Sequence, residues 1–322
     1  MPCDTHFNLD LFLASTVPVL DPASKDAAAI GGLFLVVFFV CLAILMVVVG
    51  LICTSLWRSR AAGNATPQQD FGRRRSEIMW AIPPVLIVLT LSLLSAKVIV
   101  SDVADAGTGE ADIVVVGHQW WWEVRYPGSA AVTANEIHIP LGRRLRVRVE
   151  SADVIHSFWV PQLGPKMDMI RGHPNYLWLQ ADRAGTYEGA CSEFCGDQHA
   201  WMRFIVVAEP ESQFKQWLEH QARPVENAVR ESKQSGKNYF FTQTCANCHA
   251  IRGTTSSAAA GPDLTHLASR RQLAAGLLDN TPENLARWLK SPDQLKPGCQ
   301  MPNFGLTDDQ VTQLVAYLEG LR

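Results

Sequence analysis

Two apolar runs, Ile30 to Trp57 and Ile78 to Val100, constrain this chain more than any other feature. Each is longer than the roughly 20 residues that cross the hydrocarbon core of a bilayer as a helix. The second run contains one cation, Lys97, near its end, where a lysine stem lets the ammonium reach the interface. Pro83 and Pro84 stand early in it, where a helix best tolerates proline. A cleaved signal peptide does not describe the first run, which starts late, is too long and lacks a basic front. Arg58, Arg60, Arg73, Arg74 and Arg75 lie between the runs and mark the connecting loop as cytoplasmic. Both flanking parts of the chain are therefore expected outside. Two spans instead of one suggest a hairpin that packs against a larger membrane partner.

The 322 residues are too many for one small domain and call for two or three. The net charge of -3 leaves no basic footprint for nucleic acid. Cysteine usage is uneven. Cys3, Cys41 and Cys53 fall in or near the apolar N-terminal part, whereas Cys191/Cys195 and Cys245/Cys248 form close pairs beside histidine and methionine. That pattern points to metal chemistry more than to a disulfide framework.

Cys245-Ala246-Asn247-Cys248-His249 is the attachment run of a c-type haem: two thiols for thioethers and a histidine for the iron. A redox dithiol or half of a zinc site is the plainer alternative, but neither explains the adjacent histidine without further ligands. Met301, in the loop Lys296 to Asn303 bounded by proline and glycine, is the candidate sixth ligand; otherwise it is a core methionine. Pro262, after Gly261, is placed to accept the ring N–H of His249 through its carbonyl. Glu283 to Lys290, with Thr281 as cap and Pro282 at the first position, and Thr307 to Leu321 read as amphipathic helices framing this site. Cys299 reads as a packing residue.

From about Ala111 to Glu209 the chain reads as all-β. Ile113 to Val116 is a β-branched run, Leu145, Val147 and Val149 alternate with Arg144, Arg146, Arg148 and Glu150, and Tyr176 to Leu179 and Phe204 to Val207 are similar. Such spacing suits a β-sandwich or barrel. The loop Cys191 to Met202 holds two thiols, His199 and a thioether, and His156 follows the alternating strand. Soft sulfur ligands select copper. Two bridging thiolates with one histidine each would hold two copper ions, leaving Met202 and the Glu193 carbonyl as weak axial ligands. A Cys2His2 zinc site and a Cys191–Cys195 disulfide remain as alternatives.

Gly117 to Glu123, with its run Trp120-Trp121-Trp122, the His156 segment and the Cys191–Met202 loop together resemble subunit II of haem-copper cytochrome c oxidases. The appended haem segment is similar to the caa-type branch, in which cytochrome c is fused to that subunit. The resemblance implies a multidomain chain: a two-helix transmembrane hairpin, an all-β cupredoxin-like sandwich and an all-α class I cytochrome c domain. It implies a binuclear CuA centre on His156, Cys191, Glu193, Cys195, His199 and Met202, and haem c on Cys245, Cys248, His249 and Met301. It further implies that Trp120 receives electrons, that Glu193 ligates a magnesium ion at the subunit I boundary, and that Glu77 lies near the mouth of a proton path. The Trp120 ring could instead be a stacked aromatic, and the two carboxylates could simply face water. Between Trp122 and Val132 the only acid is Glu123, beside Arg125, which gives a basic soluble donor little to steer by and suits a tethered one.

The expected function is the electron-input subunit of a proton-pumping cytochrome c oxidase. Electrons would run from haem c to CuA and on to subunit I, where oxygen is reduced to water. Expected partners are subunit I, subunit III, the lipid bilayer and a donor that is cytochrome c or a quinol–cytochrome c reductase. The expected location is the bacterial plasma membrane, with copper and haem domains on the periplasmic face. The expected divisions are an outer segment 1–29, spans 30–57 and 78–100 around a cytoplasmic loop 58–77, a copper domain 109–210, a linker 211–235 and a haem domain 236–322. A denitrification reductase with the same copper module would need a further histidine-rich catalytic domain. A copper-delivery protein would need neither haem nor the aromatic run.

Overall fold

The computed structural model describes residues 19–61, 72–103, 109–225, 234–243 and 245–322. Cys3 and most of the expected outer segment 1–29, part of the loop between the two apolar runs and part of the linker fall outside the described residues. The chain divides into two compact units: residues 28–104, and the remainder.

In the first unit, α1 (Lys25–Ala61) and α2 (Arg74–Val103) extend both apolar runs at each end. Both are long and apolar enough to cross a membrane. Arg58 and Arg60 close the last turn of α1, where cations complement the helix dipole, and Glu77 stands in the first turn of α2, where an acid does.

The second unit contains a two-sheet β domain and a helical domain. One sheet has the strand order β3 (Val132–Ala134), β2 (Trp121–Arg125), β1 (Ile113–His118), β5 (Leu145–Ser151), β8 (Asn175–Leu179). The other runs β4 (Glu136–Pro140), β10 (Arg203–Glu209), β9 (Gly185–Cys191), β6 (His156–Trp159), β7 (Met167–Met169). β1 pairs with β5 and β4 with β10 in parallel, and the other pairings are antiparallel. Apolar side chains from both sheets form one core, with Trp122, Phe158 and Phe204 packed ring against ring. Residues ahead of α1 join this domain: the Ala23 N–H donates to Gln162 O and the Ser24 hydroxyl to Leu163 O.

Two details depart from the expected pattern. The charged face of β5 is not left to water, because Arg146 is buried and its guanidinium lies 4.3 Å from the Tyr176 ring centre. The expected linker 211–235 is not solvated from its start: residues 211–222 form α3 (Glu211–Ala222), Gln221 is buried near the end of that helix, and Arg252 of the helical domain donates to its carbonyl.

The helical domain packs α4 (Gln234–Thr242), α5 (Pro282–Lys290) and α6 (Asp308–Leu318) around Phe240, Leu285, Leu314 and Leu318. Thr281 caps α5 by accepting from the Asn284 N–H, with Pro282 at its first turn. Thr307 and Gln310 form a reciprocal capping box on α6.

Candidate metal centres

β6 and the end of β9 deliver His156 and Cys191 to one point, and the loop that follows folds Cys195, His199 and Met202 over them. The two sulfurs are 3.8 Å apart and both cysteines are free, so the disulfide alternative is not what the loop forms. Cys191 Sγ lies 3.9 Å from His156 Nδ1 and 3.2 Å from the Glu193 carbonyl oxygen. Cys195 Sγ lies 3.6 Å from His199 Nδ1 and 3.8 Å from Met202 Sδ. Each thiol thus has its own imidazole and its own weak donor. That is the donor set two bridged copper ions require, and a single zinc ion would leave Met202 unused. His156, Cys191 and Cys195 are buried, as is Met202, which keeps the site dry.

The electrostatics favour a charged site. The hydrogen bond shared with Cys195, with help from His156 and the Glu193 backbone, draws the Cys191 thiol well below its ordinary value, against the opposing effect of burial. Its neighbour Cys195 is pushed far up, chiefly by its hydrogen bond to Cys191, then by burial and by the charge on Cys191. Burial would lower His156, but Cys191 and Asp153 outweigh it and raise it. Asp153 accepts from His156 Nε2 at 2.8 Å, which turns Nδ1 towards the sulfur. The same carboxylate accepts the Gln119 N–H at 2.7 Å. Gly117 permits the approach: a Cβ there would sit 2.8 Å from His156 Cδ2.

Trp120 adjoins this centre. Its Nε1 donates to Cys195 O at 3.0 Å and Gln119 Nε2 donates to the same oxygen at 2.8 Å. Glu193 turns its carbonyl to Cys191 while the residue itself is exposed. Glu123, the acid after the tryptophans, is buried and held by Arg125 Nε at 2.6 Å and His118 at 3.1 Å, so it presents no docking charge.

Cys245, Cys248, His249 and Met301 line one cavity of about 270 Å³. His249 Nδ1 donates to Pro262 O at 2.8 Å, and burial pushes this imidazole below its ordinary pKa. A neutral ring with Nδ1 so engaged leaves Nε2 free as a ligand. A Cβ on Gly261 would lie 2.6 Å from His249 Cε1, so only glycine lets the chain pass beneath the ring. Apolar walls that include Phe240, Leu285 and Trp288 suit a macrocycle. The cavity is closed on another side by Gln119, Trp120, Trp121 and Gln198 of the β domain. Cys299 lines it as well, two residues before Met301.

Sequence reasoning did not identify Asp153, Gln119 or Gln198. Asp153 stands three residues before His156, a local signal that could have been read. The roles of the two glutamines depend on contacts formed only in the fold.

A hairpin of membrane-crossing length joined to a cupredoxin-like sandwich and a helical cytochrome c domain defines a membrane-bound electron-transfer protein. Residues 14–98 match the transmembrane domain of cytochrome c oxidase subunit II, 129–209 its periplasmic domain and 234–322 cytochrome c. Cytochrome c oxidase subunit 2 of Alkalihalophilus pseudofirmus is 31% identical over 98% of this chain and 95% of its own length. The Bacillus subtilis protein of the same name is 30% identical, over 82% of this chain and 80% of its own. The periplasmic domain of the Bradyrhizobium japonicum subunit II is 33% identical across 35% of this chain and 95% of its own, with a TM-score of 0.34. The chain belongs to the cytochrome c oxidase subunit II family, in the caa-type form that carries a C-terminal cytochrome c domain. It is therefore part of a haem-copper oxidase complex and works with other oxidase subunits.

Proposed function

We propose that this chain takes electrons at a haem c on Cys245, Cys248, His249 and Met301 and passes them to a binuclear CuA centre on His156, Cys191, Glu193, Cys195, His199 and Met202, for delivery to subunit I. The haem supplies a one-electron iron couple and the copper pair a one-electron couple spread over two nuclei. The residues supply the rest. Met301 sulfur favours a high iron potential, and Pro262 fixes the His249 tautomer. Asp153 fixes the His156 tautomer.

The observation that carries the reading is the shared wall of the cavity. Trp120 faces the space enclosed by Cys245, Cys248, His249 and Met301 and also bonds to the Cys195 carbonyl. Its indole bridges the two candidate centres, and the haem domain shares the cavity wall with it, where a separate donor protein would otherwise have to dock. The scarcity of free acids after the tryptophans agrees with a tethered donor.

The same reading puts residues 30–57 and 78–100 across a bacterial plasma membrane, with the copper domain at 109–210, the linker at 211–235 and the haem domain at 236–322, both domains on the periplasmic side. It adds subunit III, a cytochrome c or quinol–cytochrome c reductase as donor, and oxygen reduction with proton pumping in subunit I. The exposed Glu193 carboxyl would hold magnesium at the subunit I boundary, and Glu77 would serve the mouth of a proton path.

The test is photoinjection of one electron into the haem of the purified, fully loaded chain. The reduced haem band should decay with first-order kinetics as the copper band bleaches, at a rate independent of protein concentration. A rate that scales with concentration, or no copper bleaching, contradicts the proposal.

A further inference from the structure

The copper-ligand loop is gripped by the haem domain on both sides of its last two ligands. Gln198 directly precedes His199 and is only 1% exposed. Its Nε2 donates to Lys296 O at 3.1 Å and also to Pro297 O. Arg203 directly follows Met202, and its N–H donates to Ala275 O at 3.2 Å. The two haem-domain segments that offer these carbonyls are braced together: the buried Lys296 donates from Nζ to Ala274 O at 3.1 Å. Ala274 and Ala275 both hold left-handed backbone, φ 53° and 59°, which non-glycine residues seldom adopt. Their conformation is one that the surrounding contacts must sustain. From Pro297 the chain runs directly on to Met301.

The chemistry at position 198 is specific. Two carbonyl oxygens need a donor, and the amide supplies one without burying a charge. Its own Oε1 is buried without a partner, a cost that mere filling of space does not explain. Buried hydrogen bonds of this kind hold geometry, because breaking them strands polar groups away from water.

We propose that Gln198 and Lys296 are positioning residues that fasten the Met301-bearing loop to the His199–Met202 loop. The two centres then form one pre-docked unit, not two tethered domains that meet by diffusion. This rests on the reading of the haem and CuA sites given above. A tether alone would supply a high local concentration, but each electron would still wait for a docking step. The clamp removes that step.

Amide hydrogen exchange on the full chain in detergent, loaded with haem and copper, tests this in wild type, Gln198→Glu and Lys296→Met. Glutamate keeps the shape at 198 but sets an acceptor against two carbonyls, and methionine removes the brace without touching the copper loop. In both variants Arg203 and residues 296–301 should exchange roughly tenfold faster, the effect of about 1.4 kcal/mol, while β1 and β5 stay as protected as before. Photoinjected electrons should then reach copper in two phases, the slower one lengthening with solvent viscosity. In wild type the transfer should be a single phase that ignores viscosity. Unchanged exchange at these segments in both variants overturns the clamp. So does viscosity-dependent transfer in wild type, which needs no variant to fold. Absence of any haem-to-copper transfer in wild type would instead strike the functional reading, and the exchange data would still judge the clamp.

Discussion

Removing the Asp153 carboxylate should loosen copper binding without touching a copper ligand. The carboxylate accepts three hydrogen bonds: from His156 Nε2 at 2.8 Å, from the Gln119 N–H at 2.7 Å and from the Val154 N–H at 2.7 Å. In Asp153→Ala the His156 ring loses the partner that fixes its tautomer and aims Nδ1 at Cys191. Losing such a partner lowers metal affinity about 10- to 100-fold, or roughly 1.4–2.7 kcal/mol. Asp153 is only partly buried, so water can reach the two freed amides. Their contribution to stability should therefore be near the low end for lost hydrogen bonds, about 1 kcal/mol. Asp153→Asn keeps one oxygen, a weaker acceptor that can serve His156 and Val154 only by turning its NH2 towards the Gln119 N–H, and should fall between wild type and alanine. Competition with a chelator of known copper affinity measures the effect on the full chain. If both variants hold copper within about twofold of wild type, the assignment of Asp153 as the orienting group for His156 is wrong.

Other perturbations have equally definite outcomes. Gly261→Ala puts a methyl 2.6 Å from His249 Cε1, so the yield of covalent haem in matured protein should collapse; an unchanged yield would mean the ring is free to shift. Gly117→Ala intrudes to 2.8 Å from His156 Cδ2 and should move the copper absorption bands while haem bands stay fixed. The buried Glu136–His138–Glu209 chain gives a pH dependence. His138 is raised above 6.5 because its two carboxylate partners outweigh burial, so its contribution is complete below 6.5 and lost as pH climbs through the raised value. Glu136 is lowered below 4.5, since bonds from His138 and the Arg271 N–H outweigh burial, so its contribution is lost as acid titrates it. Thermal unfolding should show a plateau between these limits, and His138→Gln should remove the alkaline decline; a mutant curve that keeps it would assign the decline elsewhere.

The candidate ligands were legible because their chemistry is local. Cys245, Cys248 and His249 are contiguous, and Cys191 to Met202 carry their spacing within one loop. The cap Thr281 was legible for the same reason, since a cap interacts with residues three positions on, whereas Thr307 was read as part of its helix and is instead the cap. The Pro262 carbonyl also found its imidazole as expected. What the sequence hid depends on distance along the chain. Gln198 meets a carbonyl 98 positions away, and nothing near either residue announces the other. Arg146 looked solvent-facing from its alternation, but the strand register pairs it with Trp178 and brings Tyr176, its diagonal neighbour on β8, against its guanidinium, and an aromatic face accommodates a cation that the pattern assigns to water. Gln221 looked like linker because its composition is polar, yet its backbone carbonyl receives Arg252.

Everything rests on two sulfurs 3.8 Å apart serving a pair of copper ions as one redox unit. Paramagnetic resonance of the oxidised, fully loaded chain measures this directly. One unpaired electron shared equally by two coppers should split the signal into the seven-line pattern of two equivalent spin-3/2 nuclei. A four-line pattern from a single copper, in protein shown by metal analysis to be fully loaded, would contradict the account.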